Sequence, residues 1–396
     1  MPRKIVVLDS HQFDDNRISK HIRSISGSYN VLRVNYNFYR DREPVNGSPE
    51  RAIAINLTPT GKPYLNGLLF TLGSIIGSRV RELEGVLKKR SISLEDDVIF
   101  HVHDPYLLGL AKNIGKRFPR SRIVYDRHEY YETWKGKLGF SIPSYLEKRY
   151  GAKVAEIVFV SNHHPPLPGP LAEKRVTVIP NYPESKHFLE DTVKEKIGTF
   201  RSGDAVAVYF GVLNLGFDRD VELMFEVMSL AMDSNPGLRF EMAGRIYDEG
   251  IRKMITQMTE RFGPRMNYLG EISYQEVAKR TMAAHLGFFL LRTDSPMWSE
   301  ERPVSPNKIY EFLLSGTVPV VRATLDDAEA VEKCSLHFGK GSTAKDMAKA
   351  MTEMINDQDR MRRTMTLCRE TGERFNWEKV ASLYDDCYAR LFESMH

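Results

Sequence analysis

The sequence predicts an α/β protein of two doubly wound domains, each a parallel sheet covered by helices on both faces. Three observations carry that expectation. Short apolar runs of strand length alternate with helix-like stretches from Ile5 to Val321. The alternation stops once, in a polar stretch from Pro183 to Asp204, and then restarts. At 396 residues the chain is long for a single core, so two domains are the natural division.

The elements follow in order. Ile5 to Leu8 reads as a strand, Arg17 to Ile25 as a helix and Val31 to Val34 as a second strand. A looser region runs from 36 to 95. Within it, Tyr64 to Gly77 is an apolar stretch too short to span a bilayer, and it suits a core helix or an interfacial one. Val98 to His103 is a strand, Tyr106 to Arg117 a helix, Arg122 to Asp126 a strand, Tyr145 to Tyr150 a helix and Glu156 to Val160 a strand; Val176 to Asn181 closes the first half. The second series has strands at Val206 to Phe210, Leu238 to Met242, Met266 to Leu269, Leu286 to Leu291 and Pro319 to Val321. Its helices lie at Val221 to Met232, Gly250 to Phe262, Tyr274 to Ala284 and Asn307 to Leu314. Nearly continuous apolar strands belong to parallel sheets buried on both sides. Ligands of such sheets bind beyond the carboxyl ends of the strands, here in a cleft that the two domains are expected to face.

Composition bounds the class. A 42% hydrophobic and 27% charged chain is ordinary for a globular protein. Cys334, Cys368 and Cys387 are widely spaced and form no CxxC pair, so neither a disulfide framework nor a zinc site is expected. Met1 to Leu8 runs straight into a strand without the apolar run of a signal peptide, which suggests a cytoplasmic protein. Charge is uneven. Residues 1–200 hold 31 Lys/Arg against 22 Asp/Glu, a balance of +9, whereas residues 201–396 hold 25 against 30, a balance of −5. A basic first half, with Arg79, Arg81, Lys88, Lys89 and Arg90 following the apolar stretch, suits an anionic membrane surface or a phosphate-bearing acceptor, with peripheral attachment on the inner face. No nucleic-acid partner is expected.

The most informative segment is Pro303 to Val321. Pro306 suits the first turn of a helix, Ile309, Phe312 and Leu313 form its apolar stripe, and Gly316 stops it before the strand Val318 to Val321. Ser305, Asn307, Lys308 and Glu311 cluster around its first turn. Free backbone N–H groups and the helix dipole favour a phosphate there. The lysine adds charge, and a carboxylate one turn later suits a pair of sugar hydroxyls. Asp218-Arg219-Asp220 has the Asp-x-Asp form of manganese-binding transferases, but at a helix start its acids read as caps, and no metal is expected.

Several motifs together resemble a GT-B glycosyltransferase of the retaining, family-four type. Tyr209-Phe210-Gly211 followed by Arg219 is similar to the first donor-domain strand, glycine loop and basic residue of that family. Phe240 to Gly244 resembles the next strand and glycine, and Tyr268 to Ile272 the stretch beside the nucleotide base. Pro306 to Val321 matches its Pro-x-Lys-x-Tyr-Glu segment. His101-Val102-His103-Asp104-Pro105, Val124 to Glu129, Val178 to Asn181, and Trp377, Tyr384 and Tyr388 extend the likeness over nearly the whole chain.

The resemblance implies two Rossmann-like domains: an acceptor domain at 1–182, a linker at 183–204, a donor domain at 205–375, and a terminal segment at 376–396 that crosses back to the first. It implies transfer of a sugar from a UDP- or GDP-linked donor to a glycan or lipid-linked acceptor, without a metal or other cofactor. His103, Arg219 and Lys308 take the catalytic positions. Gly211, Gly244, Arg245, Glu271, Ser305, Asn307 and Glu311 line the donor, and His11, Arg17, His128 and Glu129 the acceptor. The chain departs from the pattern at three places. Pro303 stands eight residues before Glu311, where the family often has another glutamate, with Glu300 and Glu301 nearby but out of register. Val212 replaces an arginine, and His11 to Arg17 replaces a glycine-rich loop. These departures point to an unusual donor or acceptor or to weak activity, and they keep two alternatives open, a nucleotide-sugar epimerase of the same fold and a non-catalytic partner protein.

Overall fold

A computed structural model describes residues 3–11, 15–38, 52–56, 60–133, 141–163, 166–216, 218–295, 298 and 303–395. The chain divides into two compact units, residues 1–180 with 380–396, and residues 181–379.

The first unit is a seven-stranded sheet. Its elements are β1 (Lys4–Asp9), α1 (Asn16–Ile25), β2 (Asn30–Asn37), β3 (Ala52–Asn56), α2 (Pro63–Ile75), α3 (Ser78–Lys88), β4 (Val98–Val102), α4 (Leu108–Arg117), β5 (Ser121–Arg127), α5 (Ile142–Tyr150), β6 (Glu156–Phe159) and β7 (Arg175–Val178). The strand order is β3-β2-β1-β4-β5-β6-β7, and every pairing is parallel. Val6, Leu8, Leu32, Val34, Phe100 and Val102 bury one sheet face against Phe70, Leu83, Leu87, Leu110 and Ile114 of α2, α3 and α4. The edge strand β3 falls in the stretch that the sequence leaves loose. It has only five residues, and its inward Ile53 and Ile55 are a weak period-two signal. The apolar stretch that follows it becomes α2, ended at Gly77, whose φ of +82° turns the chain into α3.

The second unit is a six-stranded parallel sheet in the order β10-β9-β8-β11-β12-β13. It runs α6 (Glu190–Thr199), β8 (Ala205–Phe210), α7 (Val221–Ser234), β9 (Leu238–Ala243), α8 (Glu249–Phe262), β10 (Met266–Tyr268), α9 (Tyr274–Ala283), β11 (Leu286–Leu290), α10 (Asn307–Leu314), β12 (Val318–Arg322), α11 (Ala328–Glu332), β13 (Leu336–His337), α12 (Ala344–Asn356), α13 (Gln358–Gly372) and α14 (Trp377–Val380), whose last residue belongs to the first unit. The final helix, α15 (Ser382–Glu393), is part of the first unit.

The stretch expected as a linker at 183–204 is instead built into the second unit. It carries α6, and Phe188 just before that helix and Val193 within it are buried with Ala278, Met282 and Leu314. Charged residues on its exposed face hide this in the sequence. Lys196 reaches inward from α6 and donates to the carbonyls of Ala284, Ser315 and Gly316 at 2.6 to 3.1 Å, closing the carboxyl end of α10. Gly316, at φ +60°, ends that helix as expected. Gly372 of α13 lies so close to α10 that a Cβ there would stand 2.5 Å from the Leu314 nitrogen. Cys334 and Cys368, distant in sequence, are neighbours here, with the Cys368 thiol 3.0 Å from the Cys334 carbonyl; all three cysteines are free and buried.

Candidate functional site

In the second unit the strand order reverses between β8 and β11, and of the residues chosen from the sequence Gly211, Gly244, Arg219 and Lys308 come together there. Gly211 follows β8 and donates its N–H to the Ala243 carbonyl at 2.8 Å. Gly244 follows β9 at φ +141°, and a Cβ there would lie 1.8 Å from the Gly211 carbonyl oxygen, so only glycine fits. A Cβ on Gly211 would stand 2.8 Å from Nζ of Lys308, which reaches from the first turn of α10 across the loop. Pro306 lies one position earlier than expected, extended at φ −80° as the cap residue.

Among the described residues, Lys308 Nζ has no hydrogen-bonded partner. Burial and the nearby Arg219 lower its pKa, with Glu311 and Asp218 opposing them. The Arg219 guanidinium lies over the Phe289 ring, 4.3 Å from its centroid, and pairs with Asp218. Two cations are thus held beside a glycine turn and the start of an eight-residue helix, an arrangement that attracts an anion. Asp220 caps α7 through the Leu223 N–H at 3.1 Å and pairs with Arg322, so both acids of the Asp-x-Asp stretch have cationic partners.

Other expected donor residues are engaged elsewhere. Arg245 and Glu271 form a two-pronged pair at 3.0 and 2.8 Å on the surface. Ser305 bonds the Tyr310 hydroxyl at 2.9 Å, which donates to Asp327 at 2.7 Å, so it supports α10 rather than offering a free hydroxyl. Asn307 opens α10 and is half-buried. Glu311 lies one turn beyond it, also half-buried. Pro303 is buried, and Glu300 and Glu301 lie outside the described residues.

The first unit collects a different set. In β4, His101 and the following His103 share one face by period two, and so do Asp126 of β5 and His128 after it. Arg17 and His21 project from α1 one turn apart, and Tyr384 and Tyr388 from α15 likewise. His103 is fully buried, not at an open strand end as expected; its ring nitrogens lie 3.1 Å from His21 Nδ1 and 2.9 Å from His128 Nε2. Arg17, expected to meet the acceptor, is buried too. It donates to Asp126 at 2.9 and 3.2 Å and to the Ile179 carbonyl at 3.1 Å.

His11 Nε2 donates to the His103 carbonyl at 2.9 Å and its ring stacks on His128 at 4.9 Å. Glu129 is exposed. His21 and His101 are cluster members that the sequence reading passed over; the Arg17/His21 and His101/His103 spacings were the available signals. Burial lowers the pKa of His21, His101 and His103, and pushes His128 down to about 3. Burial disfavours the Asp126 carboxylate, but Arg17 and the histidines outweigh it and hold the group well below the usual range. Burial opposes the charged form of His11, and Asp104, Asp15 and Asp9 reverse that and raise it.

His103, Asp126 and His128, or His21, His101 and His103, are close enough to share a cation. The first set has its carboxylate already neutralised by Arg17, and in both sets imidazole nitrogens face each other at hydrogen-bond distance.

Two all-parallel doubly wound units in one chain give this protein the GT-B fold, with two Rossmann-like domains. No family model matches the sequence, and no curated protein matches it. Solved structures do match. Sucrose-phosphate synthase from Thermosynechococcus elongatus is similar at 14% identity and a TM-score of 0.70, over 99% of this chain and 100% of that one. HepE from Anabaena, solved with UDP and glucose, is similar at 13% and 0.68, over 98% and 100%. The N-terminal domain of Candida albicans trehalose-6-phosphate phosphatase is similar at 13% and 0.66, over 99% and 97%. At such identities the likeness establishes the fold.

Proposed function

We propose that this protein is a glycosyltransferase that moves a sugar from a nucleoside-diphosphate donor to a glycan or lipid-linked acceptor, with retention and without a metal. The observation that carries the reading is the Lys308 ammonium, unpartnered among the described residues, held over Gly211 beside Arg219. A partly buried pair of cations is stabilised by a dianionic group such as a diphosphate. Transfer builds positive charge at the anomeric carbon and negative charge on the departing phosphate oxygen. Lys308, Arg219 and the N–H groups opening α10 stabilise that oxygen. Glu311 is placed one turn along for the ribose hydroxyls. Fold relatives solved with UDP, glucose and UDP-glucose support a uridine donor.

Among the described residues no helix is long and apolar enough to cross a membrane. Leu69, Leu72, Ile75 and Ile76 are nevertheless exposed along and just after α2, next to basic α3, which supports a peripheral site on an anionic bilayer for the lipid-linked case.

The test is a panel of nucleotide sugars, following binding by calorimetry and slow hydrolysis without acceptor. Binding with hydrolysis that persists in excess chelator is expected. A changed sugar with the nucleotide still attached would make the protein an epimerase, and neither binding nor turnover would make it a non-catalytic partner. Loss of turnover in chelator, restored by manganese, would return Asp218 and Asp220 to the mechanism.

A further inference from the structure

We propose that Nδ1 of His128 is a fixed lone-pair acceptor for a sugar hydroxyl, set in that state by Asp126 through a one-way chain of hydrogen bonds. The sugar as ligand rests on the transferase reading; the chain does not.

The direction follows from one end. Asp126 accepts from Arg17 at 2.9 and 3.2 Å and from the Tyr384 hydroxyl at 3.1 Å, and a carboxylate has no proton to give. His101 Nε2, 3.3 Å from the same carboxylate, must therefore carry its proton. A neutral imidazole has one N–H and one lone pair, so His101 Nδ1 accepts, and the Tyr388 hydroxyl donates to it at 2.7 Å. With that proton committed, the Tyr388 oxygen accepts from His21 Nε2 at 2.6 Å. His21 Nδ1 is left as an acceptor for His103 Nε2 at 3.1 Å. His103 Nδ1 then accepts from His128 Nε2 at 2.9 Å. Asp126 lies equally close to both ends of this last bond, Oδ1 3.5 Å from His128 Nε2 and Oδ2 3.5 Å from His103 Nδ1, so its direction is set by the chain from His101, whose bond to the carboxylate is shorter at 3.3 Å.

The reverse direction would place the His101 Nε2 lone pair against the carboxylate, which disfavours it. Burial keeps these imidazoles neutral. At the far end, His128 Nδ1 has no partner among the described residues, and its side chain is 12% exposed. His11 stacks on the ring with its own Nε2 proton given to the His103 carbonyl. A lone pair there repels phosphates and carboxylates and accepts from a hydroxyl, so this end of the cluster selects an uncharged part of a sugar. His128 is the contact residue, and Asp126, His101, Tyr388, His21 and His103 position its proton.

Nitrogen NMR of the full chain with 15N-labelled histidine tests this. At neutral pH, His21, His101, His103 and His128 should all carry the proton on Nε2, with through-bond couplings from His128 to His103 and from His103 to His21. A proton on Nδ1 of any of the four, or on both nitrogens, would overturn the chain. So would zinc taken up stoichiometrically with loss of the couplings. Tyr388→Phe keeps the ring and removes the relay oxygen. It should release the His21 tautomer and move the His128 Nδ1 resonance, whereas unmoved resonances would reduce Tyr388 to packing.

His128→Gln keeps a donor toward His103 and loses the Nδ1 acceptor. In a transfer assay it should raise KM for the hydroxyl-bearing substrate about tenfold, with a smaller change in kcat. An unchanged KM would sink the hydroxyl assignment. If the couplings are seen but the protein neither binds nor turns over any nucleotide sugar, the transferase reading falls and the sugar ligand with it, while the tautomers stand.

Discussion

The polar interiors of the two units are built on opposite principles. In the first, buried charge is matched: Arg17 with Asp126, Arg33 with Asp9 at 2.8 and 3.0 Å, and Arg127 with Glu147 at 2.6 and 3.2 Å. His21, His101 and His103 spend their ring nitrogens on Asp126, on Tyr388 and on neighbouring histidines. In the second, Lys308 is left without a hydrogen-bonded partner among the described residues, and after burial the strongest influence on it is another cation, Arg219. A matched network holds side chains in one geometry, and removing one member strands its neighbours. An unmatched cation is a standing invitation to an anion. The same fold thus supplies a rigid polar heart in one unit and an unfilled electrostatic demand in the other.

Acid should expose the first principle most strongly. His21, His101, His103 and His128 have folded pKa values below the ordinary 6.5, so between that value and their folded ones the unfolded chain binds more protons. Their contribution is complete above about pH 6.5 and declines as pH falls, each by up to ~1.4 kcal/mol per pH unit. His11 has the opposite sign, since its raised pKa adds stability below 6.5 that is lost as pH rises through the folded value. Four groups outweigh one. Calorimetric melting should show the first unit weakening steeply below pH 6.5, and a flat profile down to pH 5 would deny the neutral cluster.

The next effect is the loss of the network's anion. Asp126→Ala leaves the Arg17 guanidinium buried and unpaired and should cost ~3–5 kcal/mol, read as a fall in the denaturation midpoint. Lys308→Ala should do the reverse. It should leave the midpoint unchanged or higher, because no native partner is stranded, while weakening nucleotide-sugar binding by ~1.5–3 kcal/mol, ten- to a hundredfold; Glu311→Ala should weaken it comparably. Calorimetry with unchanged affinity in both variants would remove the donor assignment and blur the contrast between the units.

The smallest effect concerns the basic surface of the first unit. Each charge near an anionic bilayer contributes about 1 kcal/mol, screened within a Debye length. Reversing Lys88, Lys89 and Arg90 to glutamate should reduce co-sedimentation with anionic vesicles and leave donor binding intact. If the unaltered protein ignores such vesicles at low salt, the charge is a solvated face and the acceptor is not at a membrane.

Most strands and helices up to β12 were legible in the sequence because each long apolar run and each helical stripe is a local pattern; the elements from α11 to α13 lie beyond the alternation expected to end at Val321. The glycine turn at Gly211, the stop at Gly316 and the segment around Lys308 were legible for the same reason, since a turn or helix start fixes its chemistry within a few residues. The short edge strand β3 and α6 were not. One has too few residues to show a period, and the other carries charge on all but one narrow side.

What only the tertiary structure decided is who meets whom. Nothing local tells Lys308 that it will lie over Gly211, nearly a hundred positions away, or leaves Arg245 to Glu271. His103 looked like an open strand-end ligand; its burial depends on His21 from α1 and on Tyr384 and Tyr388 from a helix that returns to the first unit after the second is complete. Sequence sets the period on which a side chain points to one face of its element. Whether that face meets water, a partner or a ligand is set by the packing of elements far apart in the chain, where the energy of burying and pairing polar groups is decided.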